Sequence, residues 1–218
     1  MKNEKLYPDS GVELKPFIAK HYDTVMNIAS LGVYKSFIGK AIKNSGIKPG
    51  DSILDMGCGT GRNASLIMPY TGSNGSITGL DISENMEKQF LAKFKDNTRV
   101  KFINQRIDTE FDLGQQYDIV FISFVIHGFP NEIRKTVIKN AFNQLKPNGR
   151  FIILDFAEFD MLKMPSIVRW IFKTIECKYA FDFIARDWKV ILSDNGFASF
   201  SETFYMNKYV RLLIATKQ

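Results

Sequence analysis

The chain has 218 residues, 45% of them hydrophobic and 24% charged, which is ordinary composition for one generous globular domain and argues against disorder as a whole-chain state. Its two cysteines, Cys58 and Cys177, lie far apart with no CxxC or Cys/His spacing, so neither a disulfide framework nor a zinc site is indicated and no metal is expected. The formal net charge of +6 is spread among acidic residues without a phosphate-tracking run. No nucleic-acid partner is therefore expected. The polar, proline-broken N-terminus shows no signal core and no long uncharged apolar stretch occurs, so a cytoplasmic location is expected.

Ahead of Asp51 the helical pattern predicts helices over Phe17–Ile28 and Tyr34–Asn44, expected to cap the ligand-binding edge of a sheet built from the rest of the chain. From Asp51 on, short apolar runs alternate with longer helical-period segments, the mark of βαβ units and a parallel sheet. Strands are predicted at Ser52–Met56, Ser76–Leu80, Val100–Asn104, Tyr117–Ser123 and Arg150–Phe156. Between them helices are expected at Arg62–Tyr70, at Glu84–Lys95 with Ser83 as N-cap, and at Asn131–Leu145, closed by the turn Lys146-Pro147-Asn148-Gly149. A helix near Ala185–Asp194 leads to strands near Ala198–Tyr205 and Tyr209–Thr216. Their short connection leaves no room for a crossover helix and predicts an antiparallel pair at one edge. The expected fold class is thus α/β: a mostly parallel seven-stranded sheet with an antiparallel last strand and helices on both faces.

The stretch Ile53-Leu54-Asp55-Met56-Gly57-Cys58-Gly59-Thr60-Gly61-Arg62 runs an apolar strand into three alternating glycines. Such a loop lets backbone approach a nucleotide-like ligand and turns into a helix whose first N–H groups are unpaired. The spacing is GxGxG rather than the dinucleotide GxGxxG, and Asp55 just ahead of it would repel a pyrophosphate but accept hydrogen bonds from a cationic amino-acid ligand. Asp81, at the end of the next strand, is placed to bind an unphosphorylated ribose.

With these residues in place the sequence resembles the class I S-adenosylmethionine (SAM)-dependent methyltransferases, in particular the branch of the ubiquinone/menaquinone C-methyltransferases. LDMGCGTGR, GLDIS, YDIVFISFVIH and LKPNGRFIILDF match the motifs of that family's core, and the segment His21-Tyr22-Asp23 through Gly32 is similar to the one preceding the core in the quinone branch. The resemblance implies a Rossmann-like class I methyltransferase fold in a single domain over 1–218, with a helical cap at 1–50, a core at 51–218 and a lid insertion near 157–183. It implies SAM as cofactor, S-adenosylhomocysteine (SAH) as product, and a small, largely apolar methyl acceptor, quinone-like or lipid-like.

Carried over by position, Asp55, Gly57, Cys58, Gly59 and Gly61 would hold the methionine half of SAM, with Asp81 on its ribose and Ile82 and Met86 about its adenine; Tyr22 and Ser123 would complete the cofactor site. The family's third-strand trio is broken here. Arg106 stands where an adenine-binding Asp is usual, so that either Asp108 serves or the backbone of Arg106 and Ile107 reads the base. His127 fills the first histidine slot after the fourth strand and is the candidate general base, or else a residue that only lines the cleft.

Met161–Lys173 is apolar nearly all round yet carries three cations, and reads as a lid over an apolar acceptor, as a helix in peripheral membrane contact, or as a core or dimer contact in a monomer or homodimer. As a lid it would present Met161, Leu162, Ile167, Trp170 and Ile171 to the acceptor. A SAM-binding protein without transfer and a pyridine-nucleotide oxidoreductase are the rival readings.

Overall fold

A computed structural model describes Tyr7, Ser10 and residues 33–218. The predicted helix at Phe17–Ile28 and the candidate Tyr22 lie outside the described residues. In chain order the elements are α1 (Val33–Asn44), β1 (Ser52–Met56), α2 (Arg62–Ile67), β2 (Ser76–Asp81), α3 (Glu84–Phe94), β3 (Val100–Asn104), β4 (Tyr117–Ser123), α4 (Asn131–Gln144), β5 (Leu145–Phe156), α5 (Ser166–Ile175), α6 (Lys178–Phe183), α7 (Trp188–Ser193), β6 (Phe197–Tyr205) and β7 (Val210–Lys217), with short 3-10 turns between some of them.

The seven strands form one sheet in the order β3-β2-β1-β4-β5-β7-β6. β1 to β5 pair in parallel, and β7 runs antiparallel to both β5 and β6. The predicted antiparallel edge pair is therefore present, with β7 inserted between β5 and the edge strand β6.

Strand periodicity divides the core cleanly. Leu54, Val120, Ile122, Phe151 and Ile153 face α4, α6 and α7, whereas Ile53, Ile119, Phe121, Ile152 and Leu154 face α1, α2 and α3. Central strands covered on both faces are apolar at nearly every position, which is why these segments read as hydrophobic runs in which a buried acid such as Asp55 or Asp155 stands out.

Two boundaries differ from the sequence expectation. Lys146–Gly149 is not a turn ahead of β5 but a kink within it: Tyr117 pairs with Leu145, the register then slips, and pairing resumes at Ile119 with Arg150. Asn148 takes up the slack at φ 60°, a left-handed conformation that asparagine tolerates. The helix expected near Ala185–Asp194 starts later, because Asp187 accepts a hydrogen bond from the Val190 N–H and so caps α7 at Trp188.

Trp188 is the largest fully buried side chain. Its indole stacks on Phe183 at 4.2 Å between centroids and donates Nε1–H to the Phe183 carbonyl at 2.9 Å, joining α7 to α6. Trp188→Ala should lower the urea-unfolding free energy by about 3–5 kcal/mol, the usual scale for a buried tryptophan truncation.

Candidate active site

The glycine loop leaves β1 at the carboxyl edge of the sheet, where parallel α/β sheets bind ligands. Gly57 and Cys58 both donate their N–H groups to the Leu80 carbonyl, at 2.8 and 3.0 Å, so the loop is laid across the end of β2. Asp81 completes the fixation: Oδ2 accepts from the Gly59 N–H and Oδ1 from the Ser83 N–H, each at 3.0 Å. Ser83 in turn caps α3 by accepting from the Met86 N–H.

The loop glycines are not equivalent. Gly61 sits at φ +74°, and a Cβ there would lie 2.6 Å from the Phe94 ring and 2.7 Å from that of Phe90, so it is required by packing. Gly59, at φ +53°, has among the described residues only the Met86 sulfur within 4.0 Å of where its Cβ would stand. Among those residues its other side is open space of the kind a ligand fills. Cys58 turns its side chain into the core among α2, α3 and the sheet, so what it offers a ligand is backbone.

Asp55 is fully buried, and neither carboxylate oxygen has a hydrogen-bond partner among the described residues. Burial, and secondarily the neighbouring Asp81 carboxylate, push its pKa up to about 7. Asp81 is itself raised by burial, against which its bonds to backbone N–H groups work. On the adjoining strand β4, the Ser123 hydroxyl is likewise buried without a partner among the described residues. A buried polar group costs free energy until something satisfies it, so these atoms mark where a cationic, hydrogen-bonding ligand fits.

Met86 is buried and Ile82 about one-third exposed, at the start of α3 beside Asp81. At the end of β3, Asp108 is occupied: Arg106 donates Nε–H to Oδ1 at 3.0 Å and an Nη2–H to Oδ2 at 2.7 Å, and the Tyr7 hydroxyl donates to Oδ2 at 2.9 Å. Burial would raise the Asp108 carboxyl, but these bonds outweigh it and hold it below the usual range. The carbonyls of Arg106 and Ile107 accept from the side-chain amides of Gln105 and Asn140.

His127 lies in a 3-10 turn, Ile126–Gly128, just past β4. A Cβ on Gly57 would strike Val125 at 2.7 Å, so this turn abuts the glycine loop. The imidazole is held by groups that the sequence reading missed. Nδ1 lies 2.7 Å from Asp155 Oδ1, near the end of β5, and Nε2 lies 3.6 Å from Glu176 Oε2, just after α5.

Below them Arg134 of α4, only 1% exposed, donates to the carbonyls of Ile126, His127 and Tyr179 and to the Asp182 carboxylate. It stacks under Phe183 and Trp188. The one legible hint of Asp155 was an acid inside the apolar run Phe151-Ile152-Ile153-Leu154-Asp155-Phe156. For Arg134 and Glu176 there was none, because their partners are tertiary.

The insertion after β5 is a 3-10 turn at Met161–Lys163, a break at Pro165, and α5. Met161 and Phe172 pack inward, with Phe172 against Phe156, Phe159 and Phe181. Leu162, Ile167 and Trp170, expected to wall an acceptor pocket, are instead 80%, 64% and 64% exposed, and the side chain of Ile171 is not among those described. With Pro165 breaking the segment, only part of its apolar surface can face inward. Beneath it lies an open depression of about 560 Å³ lined by Phe159, Met161, Phe181 and Ile184 among others. Among the described residues no cluster of three His, Cys, Asp or Glu could hold a metal.

Sheet order, antiparallel β7, glycine loop and strand-end acid together define the Rossmann-like class I methyltransferase fold. The chain superimposes on an Aquifex aeolicus SAM-dependent methyltransferase with a TM-score of 0.60, at 18% identity over 83% of this chain and 89% of that one. For the Synechocystis magnesium protoporphyrin IX methyltransferase with bound SAH the TM-score is 0.59, at 24% identity over 91% and 84%.

The profile of the ubiE/COQ5 methyltransferase family matches residues 12–188, and the chain belongs to that family. It is 31% identical over 144 residues to the demethylmenaquinone methyltransferase of Lactobacillus johnsonii, covering 65% of this chain and 58% of that protein. To the chloroplastic 2-phytyl-1,4-beta-naphthoquinone methyltransferase of Arabidopsis thaliana it is 28% identical over 193 residues, 85% and 73% of the two chains. The match thus spans a little over half the length of the bacterial relative.

The Asp55 environment has a measurable signature in the ligand-free protein. An acid whose folded pKa is raised from 3.8 to about 7 stabilises least once ionised, so its contribution falls as pH rises from about 4 through 7 and is flat beyond. Asp55→Asn should therefore gain relative to the wild type across that window, by an amount reaching on the order of 4 kcal/mol at pH 8. Urea denaturation at pH 4.5 and 8 gives the difference; equal wild-type and variant pH profiles would show that Asp55 is not the strained group.

Proposed function

We propose that this chain transfers the methyl group of SAM to a reduced, quinol-type acceptor and releases SAH. The observation that carries the cofactor is the fully buried Asp55 carboxylate, unpaired among the described residues, behind a glycine loop over whose Gly59 those residues leave open space. When bound, SAM supplies an electrophilic methyl group on a sulfonium. Asp55 and Ser123 would meet the polar end of its methionine half, the Gly57–Gly61 backbone would pass alongside it, and the remaining acceptor capacity of Asp81 would take the ribose hydroxyls. Ile82 and Met86 would flank the adenine, read by the backbone near Arg106 and Ile107 because Asp108 is already committed to Arg106 and Tyr7.

The acceptor reading rests on the relatives that methylate demethylmenaquinone and 2-phytyl-1,4-naphthoquinone. A quinone ring is electron-poor, whereas the reduced ring, on losing a hydroxyl proton, becomes a carbon nucleophile. His127 fits as the base that removes that proton: it stands on the turn against the glycine loop with Phe156 and Phe183 about it. The segment ahead of the core would close the same edge, a reading supported by Tyr7 bonded to Asp108 and Ser10 bonded to the Gly128 carbonyl.

In the assay, methyl-labelled SAM with 2-phytyl-1,4-naphthoquinol should give labelled lipid, and the oxidised quinone should not. Gly59→Val, which both fills the space over the loop and strains its left-handed backbone, should abolish SAH binding in calorimetry, and His127→Ala should lower turnover about 10²-fold or more with SAH affinity intact. No label in the quinol, with SAH bound normally, would refute the acceptor.

We further propose that the chain meets its lipid-soluble acceptor at an anionic bilayer. Leu162, Ile167 and Trp170 project from the 3-10 turn and α5 among Lys163, Arg169 and Lys173, an apolar face rimmed by cations. No helix among the described residues is long and apolar enough to cross the membrane. Vesicles of phosphatidylglycerol with phosphatidylcholine should bind the protein, and phosphatidylcholine alone should bind it far less. Trp170→Ser should weaken the first by about tenfold, the scale of one lost large apolar contact, and leave SAH binding unchanged. Equal binding of wild type and variant would place the contact elsewhere.

A further inference from the structure

His127 is flanked by two carboxylates that come from structurally independent parts of the fold. Asp155 belongs to the rigid sheet, is 1% exposed, and approaches Nδ1 at 2.7 Å while its other oxygen accepts the His127 backbone N–H at 3.4 Å. Its Oδ1 also accepts the Phe156 N–H at 2.8 Å, which fixes its orientation. A carboxylate so placed keeps the imidazole proton on Nδ1, so Nε2 carries the basic lone pair.

Glu176 is delivered by the insertion: it caps α5, donating its N–H to the Phe172 carbonyl at 2.9 Å, and Phe172 is the ring that seats α5 on Phe156 and Phe159. Its Oε2 stops 3.6 Å from Nε2. That is too long for a hydrogen bond, so among the described residues Nε2 has no hydrogen-bond partner, while the carboxylate stands within ion-pair distance of it. The Glu176 side chain is 22% exposed and therefore reaches water.

We propose that Asp155 and Glu176 both work through His127: Asp155 fixes the tautomer that leaves Nε2 basic, and Glu176 takes the acceptor's proton onward from Nε2 to solvent. In the first transfer the acceptor O–H bond breaks, its electron pair stays on the acceptor, and the proton forms the Nε2–H bond. In the second that bond breaks in favour of Glu176 Oε2–H, restoring neutral imidazole, and water removes the proton from Glu176.

The electrostatics agree with this order. Burial disfavours the imidazolium, but Asp155 and then Glu176 outweigh both burial and the Arg134 guanidinium, so His127 titrates above its ordinary value; burial also raises the Glu176 carboxyl, despite the opposing influence of His127. Each group thus holds a proton more readily than it would in water, and the two face each other at 3.6 Å. Among the described residues, Asp155, Glu176 and Arg134 are the charged groups acting on the imidazole, from β5, the end of α5 and α4.

The inference rests on the methyltransferase reading, but its first test does not need an acceptor. The chain has two histidines, so His21→Gln leaves a single imidazole whose titration is read directly by NMR. In that background Glu176→Gln and Asp155→Asn should each lower the His127 pKa. With SAM and 2-phytyl-1,4-naphthoquinol, Glu176→Gln should reduce kcat about tenfold with KM for the quinol and SAH affinity unchanged, shift the alkaline-rising limb of the pH profile to lower pH, and recover in part in Glu176→Asp.

An unmoved His127 titration in Glu176→Gln overturns the arrangement, and so does a lowered titration with wild-type kcat. If the wild type itself leaves the quinol unmethylated, the acceptor reading fails and the titration alone decides the arrangement: a fall in both variants supports it, an unmoved pKa overturns it.

Discussion

An ionised carboxylate sealed from water with nothing to bond is an unstable arrangement, and Asp55 is placed in one by the strand that carries it. β1 is an interior strand of the sheet, covered on both faces, so Ile53 to Met56 are all removed from solvent, including Asp55, just before the chain turns into the glycine loop. Asp81 aggravates the strain by standing one strand away with its own charge. It also offsets part of it, because its carboxylate is what ties the Gly59 and Ser83 amides into place. The loop conformation, the start of α3 and the open space over Gly59 all depend on that one acid. The free energy withheld from the unliganded fold is available on binding to any ligand that brings a cation to Asp55.

This is also why so much of the geometry of the candidate site was legible in the sequence. An acid ahead of GxGxG and an acid ending the next strand are local patterns, and local patterns fix their own geometry: the three glycines, the Ser83 cap and the five core strands stand within a residue or so of where periodicity puts them, apart from the kink at the head of β5. That kink escaped because Lys146-Pro147-Asn148-Gly149 carries turn chemistry, yet the pairing of Leu145 with Tyr117 keeps the segment in the sheet. A tertiary pairing overrode a local propensity.

The surroundings of His127 were illegible for a different reason. Asp155, Arg134 and Glu176 are distant in sequence from His127 or from the elements they clamp, and each is ordinary in its own local context. Arg134 lies on a helix of low amphipathicity, where a charged residue suggests a solvated face. Only the fold reveals that its guanidinium is enclosed by three carbonyls, Asp182 and two aromatic rings, as the burial of a charge demands. Much the same holds for Arg106, which stands where an acid was expected and pairs with Asp108 at 2.7 Å.

Arg134 has a consequence for how the site could work as a whole. Two of its carbonyl partners belong to the turn that carries His127, and its others, Tyr179 and Asp182, belong to α6, which continues the insertion bearing Glu176. The His127 turn and the insertion are therefore held by one buried cation that cannot abandon either set of contacts without exposing an unpaired charge. Motion of α5 and α6 away from the sheet would strip Arg134 of its Asp182 bond and withdraw Glu176 from Nε2 together. A fold that couples these two events keeps Asp155 and Glu176 together on the imidazole only while the insertion is seated.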